Sequence, residues 1–151
     1  METGNISWFA KTIMKEATKA SIKNVKKATL FVEREVKKEL SKRGTGEVYY
    51  RGKNNKNRKF HIASAPYEPP AVDTGALRAS ISSIVEVIDL EVTGWVGSDI
   101  SKLAIRTSAG TDLEYGYYLE MGTINMAPRP YLRPVLNRHK DKINRIIAGE
   151  K

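Results

Sequence analysis

Residues 5 to 43 contain neither proline nor glycine. Such an uninterrupted segment predicts one long helix, with Asn5 or Thr3 available to cap its start. At about 1.5 Å per residue the helix would be about 57 Å long. That length exceeds the width of a small domain. The fold therefore depends on which part of the helix packs against the rest of the chain.

The apolar residues of this segment change face midway. The first stripe consists of Ile6, Phe9, Ile13, Ala17 and Ala20. The second stripe, rotated by roughly 100° at 100° per residue, consists of Val25, Val32, Val36 and Leu40. Either the helix kinks near Ser21, or it stays straight and offers one half to its own domain and the other to a neighbouring subunit. The lysines, which mostly lie off the first stripe, predict a solvated face.

Two β-prone regions follow the glycine of "RGTG", which we expect to end the helix. In residues 47–63, "EVYYR" and "RKFHIA" flank the polar "GKNNKN" and predict a hairpin. In "SSIVEVIDLEVTGWVGSD" we expect two strands joined by a tight turn near residues 89–91. A further short strand is possible in "SKLAIRTS".

Three prolines, at positions 66, 69 and 70, stiffen the segment between these regions. We interpret residues 64–72 as an extended, rigid arm, because stiffness lowers the entropy cost of holding an exposed loop against a partner. Asp73 is then expected to cap a short helix in "TGALRASI", with Leu77 and Ile81 in the core.

The C-terminal part predicts two more helices. "TDLEYGYYLEMGT" fits a short helix that begins at Thr111 or Asp112 and ends at Gly122. After "MAPRPYLRP" an amphipathic helix is expected from the periodic positions Leu132, Val135, Leu136, His139, Ile143, Ile146 and Ile147. The whole chain, residues 1–151, therefore predicts a single α+β domain: a long N-terminal helix, a small antiparallel sheet covered by helices, and an amphipathic C-terminal helix.

Composition narrows the function classes. The chain has no cysteine, which excludes disulfides, thiolate metal sites and cysteine nucleophiles. No apolar run is long enough for a signal peptide or a membrane span, so we expect synthesis in the cytoplasm and no membrane partner. The net charge of +9 favours polyanions or acidic protein surfaces at long range, although it names no partner.

No catalytic or metal-binding constellation emerges. The two histidines, His61 and His139, lie in a β-prone segment and on an apolar helix face, outside any metal-ligand spacing. Asp73-Thr74-Gly75 resembles the aspartic-protease motif, but a single copy before a helix is better explained by capping. We therefore expect no enzyme, no cofactor and no metal, while a hydrolase without a recognisable motif stays as a distant alternative.

Nucleic-acid binding is the stronger alternative. Tyr49, Tyr50, Arg51 and Phe60 flank a lysine-rich loop and would combine base stacking with phosphate binding. The basic residues that we expect to face DNA are Lys53, Lys56, Arg58 and Lys59. An ordinary hairpin with a charged tip explains the same residues, since no known nucleic-acid module is present.

Three stretches, taken in order, resemble one known family. They are "HIASAPYEPPAVDTGALRASI" (61–81, the first element), "YGYYLEMGT" (115–123, the second element) and "APRPYLRPVL" (127–136, the third element). Together they look like the gene-product-ten-like family of tailed bacteriophages, the head–tail joining, neck or tail-completion proteins. The resemblance spans roughly residues 5 to 148, and the loop "RGKNNKNRK" is not part of it.

The resemblance implies a structural virion protein without catalytic activity. It implies a homo-oligomeric ring at the head–tail interface, a head-completion or adaptor protein on one side, and a tail-terminator or tail-tube protein on the other. Genomic DNA would pass through the channel of the ring. A charge pair between Glu120 and Arg129 is also expected. The residues that match the elements and are expected at inter-subunit contacts are Pro69, Pro70, Asp73, Arg78, Tyr118, Glu120, Arg129, Tyr131 and Arg133.

Overall fold

The computed structural model describes residues 4–51, 59–99 and 115–150, and the side chains of these residues except 4–12, 51 and 59. In chain order the elements are α1 (Gly4–Glu39), β1 (Val48–Arg51), β2 (Lys59–Ile62), α2 (Ala76–Ser80), β3 (Ile81–Ile88), β4 (Glu91–Ser98), α3 (Tyr115–Met121) and α4 (Arg133–Ala148). The expected α+β class is confirmed. The possible strand in "SKLAIRTS" and the cap at Thr111 or Asp112 lie outside the described residues.

Helix α1 is unbroken through Ser21, so its two stripes belong to one continuous helix. It ends at Glu39, four residues before the predicted end, because the chain tightens into shorter turns with Ser41 N–H bonded to the carbonyl of Lys38 and Lys42 N–H to that of Glu39. Gly44 therefore does not end the helix directly. A Cβ on Gly44 would stand 2.1 Å from the carbonyl oxygen of Ala63, so glycine is required there for close approach of two backbone segments.

The second stripe of α1 is buried, so it is the C-terminal half of the helix that faces its own domain, a choice that the sequence left open. It joins residues from five other elements and loops in one core, which consists of Phe31, Val32, Val36, Leu40, Leu77, Ile81, Leu119, Tyr131 and Val135. Burial of such side chains contributes about 1.5–3 kcal/mol each to folding. The core therefore lies beside the C-terminal half of α1, and the described side chains of the N-terminal half, from Ile13 onward, are not part of it.

The strands of the described residues form two separate two-stranded antiparallel sheets, whereas the sequence suggested one sheet. In the first, Tyr50 pairs with Phe60. In the second, Ile84 pairs with Trp95. A two-residue turn at Asp89 and Leu90 joins β3 to β4, and Asp89 has a φ of 54°, a conformation that aspartate tolerates better than most residues.

The β3–β4 hairpin packs its inner face on α1. Ser83 donates a hydrogen bond of 2.6 Å to the carboxylate of Glu33. At Gly94 the helix approaches so closely that a Cβ would stand 2.3 Å from Cγ2 of Thr29 and 2.9 Å from Cγ1 of Val25. The absence of a side chain at Gly94 thus sets the distance between helix and hairpin.

Helix α2 begins later than predicted, and Asp73 is not its cap. Gly75 occupies the capping position with a φ of 76°, in the left-handed region, and gives no side-chain cap. The hydroxyl of Thr74 accepts a hydrogen bond of 3.3 Å from the N–H of Ala76 instead. Because the left-handed residue turns the chain just before the helix, the capping position falls at Gly75, two residues after Asp73.

Helix α4 packs along the C-terminal half of α1. Gly149 ends it with a φ of 82°, and the side chain of Asn24 donates a bond of 3.3 Å to the carbonyl of Ile147. At the other end Arg138 donates to Glu39 at 3.1 Å. The two helices are therefore fixed to each other at both ends of their contact.

Candidate interaction surfaces

A buried carboxylate organises the loop that connects α3 to α4. Glu120 accepts hydrogen bonds from three consecutive backbone N–H groups, those of Tyr131 at 2.7 Å, Leu132 at 2.9 Å and Arg133 at 2.9 Å. These are free N–H groups at the start of α4, where a negative charge is favourable. Glu120 therefore caps α4 from a different helix.

The three sequence elements that carry the family resemblance meet at one point. A Cβ on Gly116, in the second element, would stand 2.7 Å from the hydroxyl of Tyr131 in the third element. It would stand 3.5 Å from Cδ1 of Leu77 in the first element. The hydroxyl of Tyr131 donates to the carbonyl of Gly116 at 3.3 Å, and burial, followed by the charge of Glu120, raises the pKa of Tyr131. These contacts hold the three elements together inside the chain, so the residues that make them have a structural role.

The expected charge pair between Glu120 and Arg129 is wrong. The oxygens of Glu120 are occupied by the backbone of residues 131–133, which leaves the guanidinium of Arg129 without that partner. Instead Nε of Arg129 is buried with no hydrogen-bond partner among the described residues. The N–H of Arg129 donates to the carbonyl of Leu119 at 2.6 Å, so the backbone fixes the loop where the sequence suggested a salt bridge.

The proline-rich segment 64–72 is anchored to its own chain. Tyr67 N–H donates to the carbonyl of Pro128 at 2.9 Å, and Pro70 is buried. Glu68 accepts bonds from the hydroxyl of Thr45 at 2.5 Å and the N–H of Ala65 at 3.0 Å, which lower its pKa. The segment is therefore a strap across the domain, and only its outward face, which carries Tyr67, is free to reach a partner.

The residues predicted at inter-subunit contacts differ in how far they are buried. Glu120 and Tyr131 are buried, so they serve the interior of the chain and we remove them, with Pro70, from the candidate contacts. Pro69 and Arg129 are half-buried. The exposed candidates are Asp73, Arg78, Tyr118 and Arg133. Arg78 donates to Ser41 at 3.1 Å and Arg133 to the sulfur of Met121 at 2.6 Å, so both side chains also have internal partners.

The outward face of the β3–β4 hairpin, which we name the outer hairpin face, carries large apolar side chains. Ile84 is 60% exposed, its cross-strand partner Trp95 is 58% exposed and Ile88 is 69% exposed. Glu86 lies on the same face and accepts a bond of 3.1 Å from the indole N–H of Trp95. The sequence pattern pointed to strands here but not to this surface; apolar residues at both alternating sets of positions in β3 were the signal.

The first stripe of α1 is the second exposed apolar surface. Ile13 is 60% exposed, and Ala17 and Ala20 are exposed as well. The side chains of Ile6 and Phe9 lie outside the described part of the chain. The same helix thus carries one stripe in the core and another that the described residues do not cover.

The β1–β2 hairpin presents an aromatic pair. Tyr50 and its cross-strand partner Phe60 are both 66% exposed. Of the basic residues predicted to face DNA, Lys53, Lys56 and Arg58 lie outside the described residues, and only the backbone of Lys59 is described, in β2. The structure therefore describes the exposed aromatic pair, but not the side chains of these basic residues.

Among the described residues, ion pairs concentrate on the C-terminal half of α1. Lys37 pairs with Glu33 at 2.5 Å and Lys38 with Glu35 at 2.8 Å. Burial opposes the charge of Glu39, but hydrogen bonds from Arg138 and Lys42 outweigh it and hold the pKa of Glu39 below its ordinary value. These contacts neutralise the surface next to the core.

An apolar groove of 480 Å³ lies between α1, β4 and α4. Its walls include Ala28, Val92, Leu136 and Ile147. Its lining contains no acidic, basic or histidine side chain, so it offers no acid–base chemistry.

Each of the two histidines lies near one carboxylate. His61 lies 3.9 Å from a carboxylate oxygen of Asp73. His139 packs edge-on against Phe31 and lies 3.9 Å from Glu35. Across the described ranges, no three histidine or carboxylate side chains gather as a metal site would require. None of the helices described is both long and apolar enough to cross a membrane.

Comparison with known proteins does not assign the chain to a family. No protein-family model matches the chain, and no curated protein or solved structure matches it. The functional conclusion therefore depends on the residues and surfaces described above.

Proposed function

We propose that this chain is a structural virion protein of a tailed bacteriophage, which assembles as a ring at the head–tail interface and leaves a channel for DNA. Its partners would be copies of itself, a head-completion or adaptor protein, and a tail-terminator or tail-tube protein. The order and spacing of the three sequence elements support the family. Their convergence around Gly116, Leu77 and Tyr131 supports a shared fold for them.

The observation that carries the assembly role is the presence of two unlike exposed apolar surfaces on one chain. One is convex and helical, the first stripe of α1, and the other is flat, the outer hairpin face. Ring closure needs heterologous contacts, in which two different surfaces of each subunit meet. A monomeric protein rarely leaves large apolar patches open to water, so such surfaces mark interaction sites.

The test is to determine the mass and shape of the purified protein and its place in the virion. Native mass spectrometry and electron microscopy should show closed rings with a central hole, alone or on the head connector. A phage that lacks the gene should accumulate DNA-filled heads and complete tails that do not join. Normal joining in its absence, or a protein that never assembles in either setting, would contradict the proposal.

A second candidate is nucleic-acid binding by the β1–β2 hairpin, which the exposed pair of Tyr50 and Phe60 favours. Aromatic pairs of this kind stack on bases, and lysine-rich loops bind phosphates. Replacement of both aromatic residues by alanine should then abolish binding of single-stranded DNA by the monomer. Wild-type binding that falls steeply with salt would support this function.

A further inference from the structure

We infer that copies of this chain join by packing the first stripe of α1 from one copy across the outer hairpin face of the next. The inference rests on the proposed assembly role and adds which two surfaces meet. Its physical basis is a match in shape, in apolar character and in charge, and each of these is visible in a single copy of the chain.

The outer hairpin face is more apolar than a solvent-exposed sheet face normally is. An antiparallel sheet with one face in water normally alternates apolar and polar residues. Here the inner face already packs on α1, yet the outer face carries Ile84 directly opposite Trp95, with Ile88 further along the same face. A two-stranded sheet that is apolar on both faces requires a layer on each side, and the chain supplies only the inner layer within its described residues.

The first stripe of α1 has the shape that a flat sheet accepts. It presents Ile13 followed by the small residues Ala17 and Ala20, all exposed. Small residues on a helix allow its backbone to lie close to a sheet. Inside the chain a small residue on the strand has the same effect, because α1 lies close to β4 where Gly94 has no side chain. The proposed contact therefore repeats, on the other face of the hairpin, a helix-on-hairpin layer that the fold already contains.

Charge complementarity indicates that a second copy of the chain binds the outer hairpin face. Residues 81–99 contain four acidic and no basic residues, although the chain as a whole carries a net charge of +9. Residues 11–27 contain six lysines and one glutamate. Lys19 and Lys23 border the first stripe and are exposed, and Glu86 and Glu91 are exposed on the outer hairpin face. An acidic surface of one copy thus fits a basic helix segment of another.

The lysines of α1 differ in their ion pairs along the helix. Near its C-terminal end, Lys37 and Lys38, and Lys42 just beyond it, each pair with a glutamate of α1. Among the described residues, no ion pair is formed to Lys19, Lys23, Lys26 or Lys27. Lys19 and Lys23, which border the first stripe, are therefore available to the glutamates of a neighbouring hairpin.

Charge reversal tests the pairing. We expect Lys19→Glu with Lys23→Glu to weaken self-association about tenfold or more, because like charges would then face each other. Glu86→Lys with Glu91→Lys should have the same effect. The chain that carries all four substitutions should assemble again, since each interface regains opposite charges. The matched control is Lys140→Glu with Arg145→Glu, two exposed positions on α4, which should leave assembly unchanged.

Mass measurement over a range of concentrations gives the readout, with circular dichroism to confirm the fold of each variant. If the wild type assembles and neither reversal weakens it, or the fourfold variant stays monomeric, the pairing is wrong while ring assembly stands. If the wild type is monomeric both alone and with isolated head connectors, the pairing and the proposed function both fail.

A cross-link makes the test independent of reversal variants that do not fold. The chain has no cysteine, so single introduced cysteines react only with each other. An equal mixture of Ala17→Cys and Ile84→Cys should yield a disulfide-linked heterodimer under mild oxidation. An equal mixture of Ala17→Cys with Asn144→Cys, an exposed position on α4, should not. Equal yields from the two mixtures would overturn the pairing.

Discussion

The carboxylate of Glu120 accepts the backbone N–H of Tyr131 at 2.7 Å, and so one buried side chain of α3 holds the start of α4. The same carboxylate also takes the next two N–H groups. Three converging donors make this position specific for a carboxylate, because an amide would turn one N–H donor toward another.

Replacement of Glu120 by glutamine is therefore expected to destabilise the fold by about 1–3 kcal/mol, the cost of a buried donor left without an acceptor. Urea denaturation followed by circular dichroism measures the change. Glu150→Gln, at an exposed position beyond α4, is the control and should change stability little. Equal stability of the two variants would show that the carboxylate does not hold the loop.

Gly116 and Tyr131 should behave as a coupled pair. Gly116→Ala places a methyl group 2.7 Å from the hydroxyl of Tyr131 and is expected to cost about 1–3 kcal/mol through overpacking. In a Tyr131→Phe background that hydroxyl is absent, and the next contacts, at 3.4 and 3.5 Å, are ordinary. The cost of the alanine should therefore shrink in the double variant, as a double-mutant cycle from thermal unfolding would reveal. Strict additivity would contradict the described packing.

Two glycines of β4 provide a matched comparison. Gly94→Ala should destabilise the chain by about 1–3 kcal/mol, because the new methyl group would collide with Thr29 and Val25 of α1. Gly97→Ala, three residues further along the same strand, meets nothing within 4 Å and should change stability by less than about 0.5 kcal/mol. Chemical denaturation of both variants distinguishes the two cases, and similar values would argue against the close helix–hairpin contact.

Acid should weaken the contact between α1 and α4. The pKa of Glu39 is held below its ordinary value of 4.5, so the folded state binds this proton less readily than the unfolded state. The stabilisation from Glu39 is therefore present above pH 4.5 and is lost as the pH falls through the lower, folded-state pKa. Wild type should exceed Glu39→Gln in melting temperature at neutral pH, and the difference should vanish at acidic pH. The exposed Glu16→Gln is the control, and a difference that persists in acid would contradict the assignment.

Local patterns predicted most of the elements. The spacing of Val25, Val32 and Val36 predicted one shared face of α1, which is buried, and Gly122, with a φ of 78°, ends α3 where the sequence suggested. The turn at Asp89 likewise follows from a short polar break between two β-branched runs. Each of these signals acts within a few residues of where it appears.

The features that the sequence did not reveal depend on distant residues. Asp73 looked like a cap because its side chain type fits, but the left-handed conformation of Gly75 moved the helix start. Glu120 looked like a partner for Arg129, but the choice of backbone donors depends on how α3 meets α4. The internal anchoring of segment 64–72 also required knowing that Pro128 lies beside Tyr67. These outcomes are decided by tertiary packing, which periodicity does not encode.

The unbroken course of α1 has a mechanical consequence. About 54 Å of helix, at about 1.5 Å per residue, runs from the N-terminal half into the centre of the domain without a joint. A rod of this kind behaves as a lever: a tilt imposed on its N-terminal half must turn the buried end by the same angle. A partner that binds at the exposed residues Ile13, Ala17 and Ala20 would therefore displace Val32 and Val36, so that strain at the periphery of a subunit reaches its interior directly.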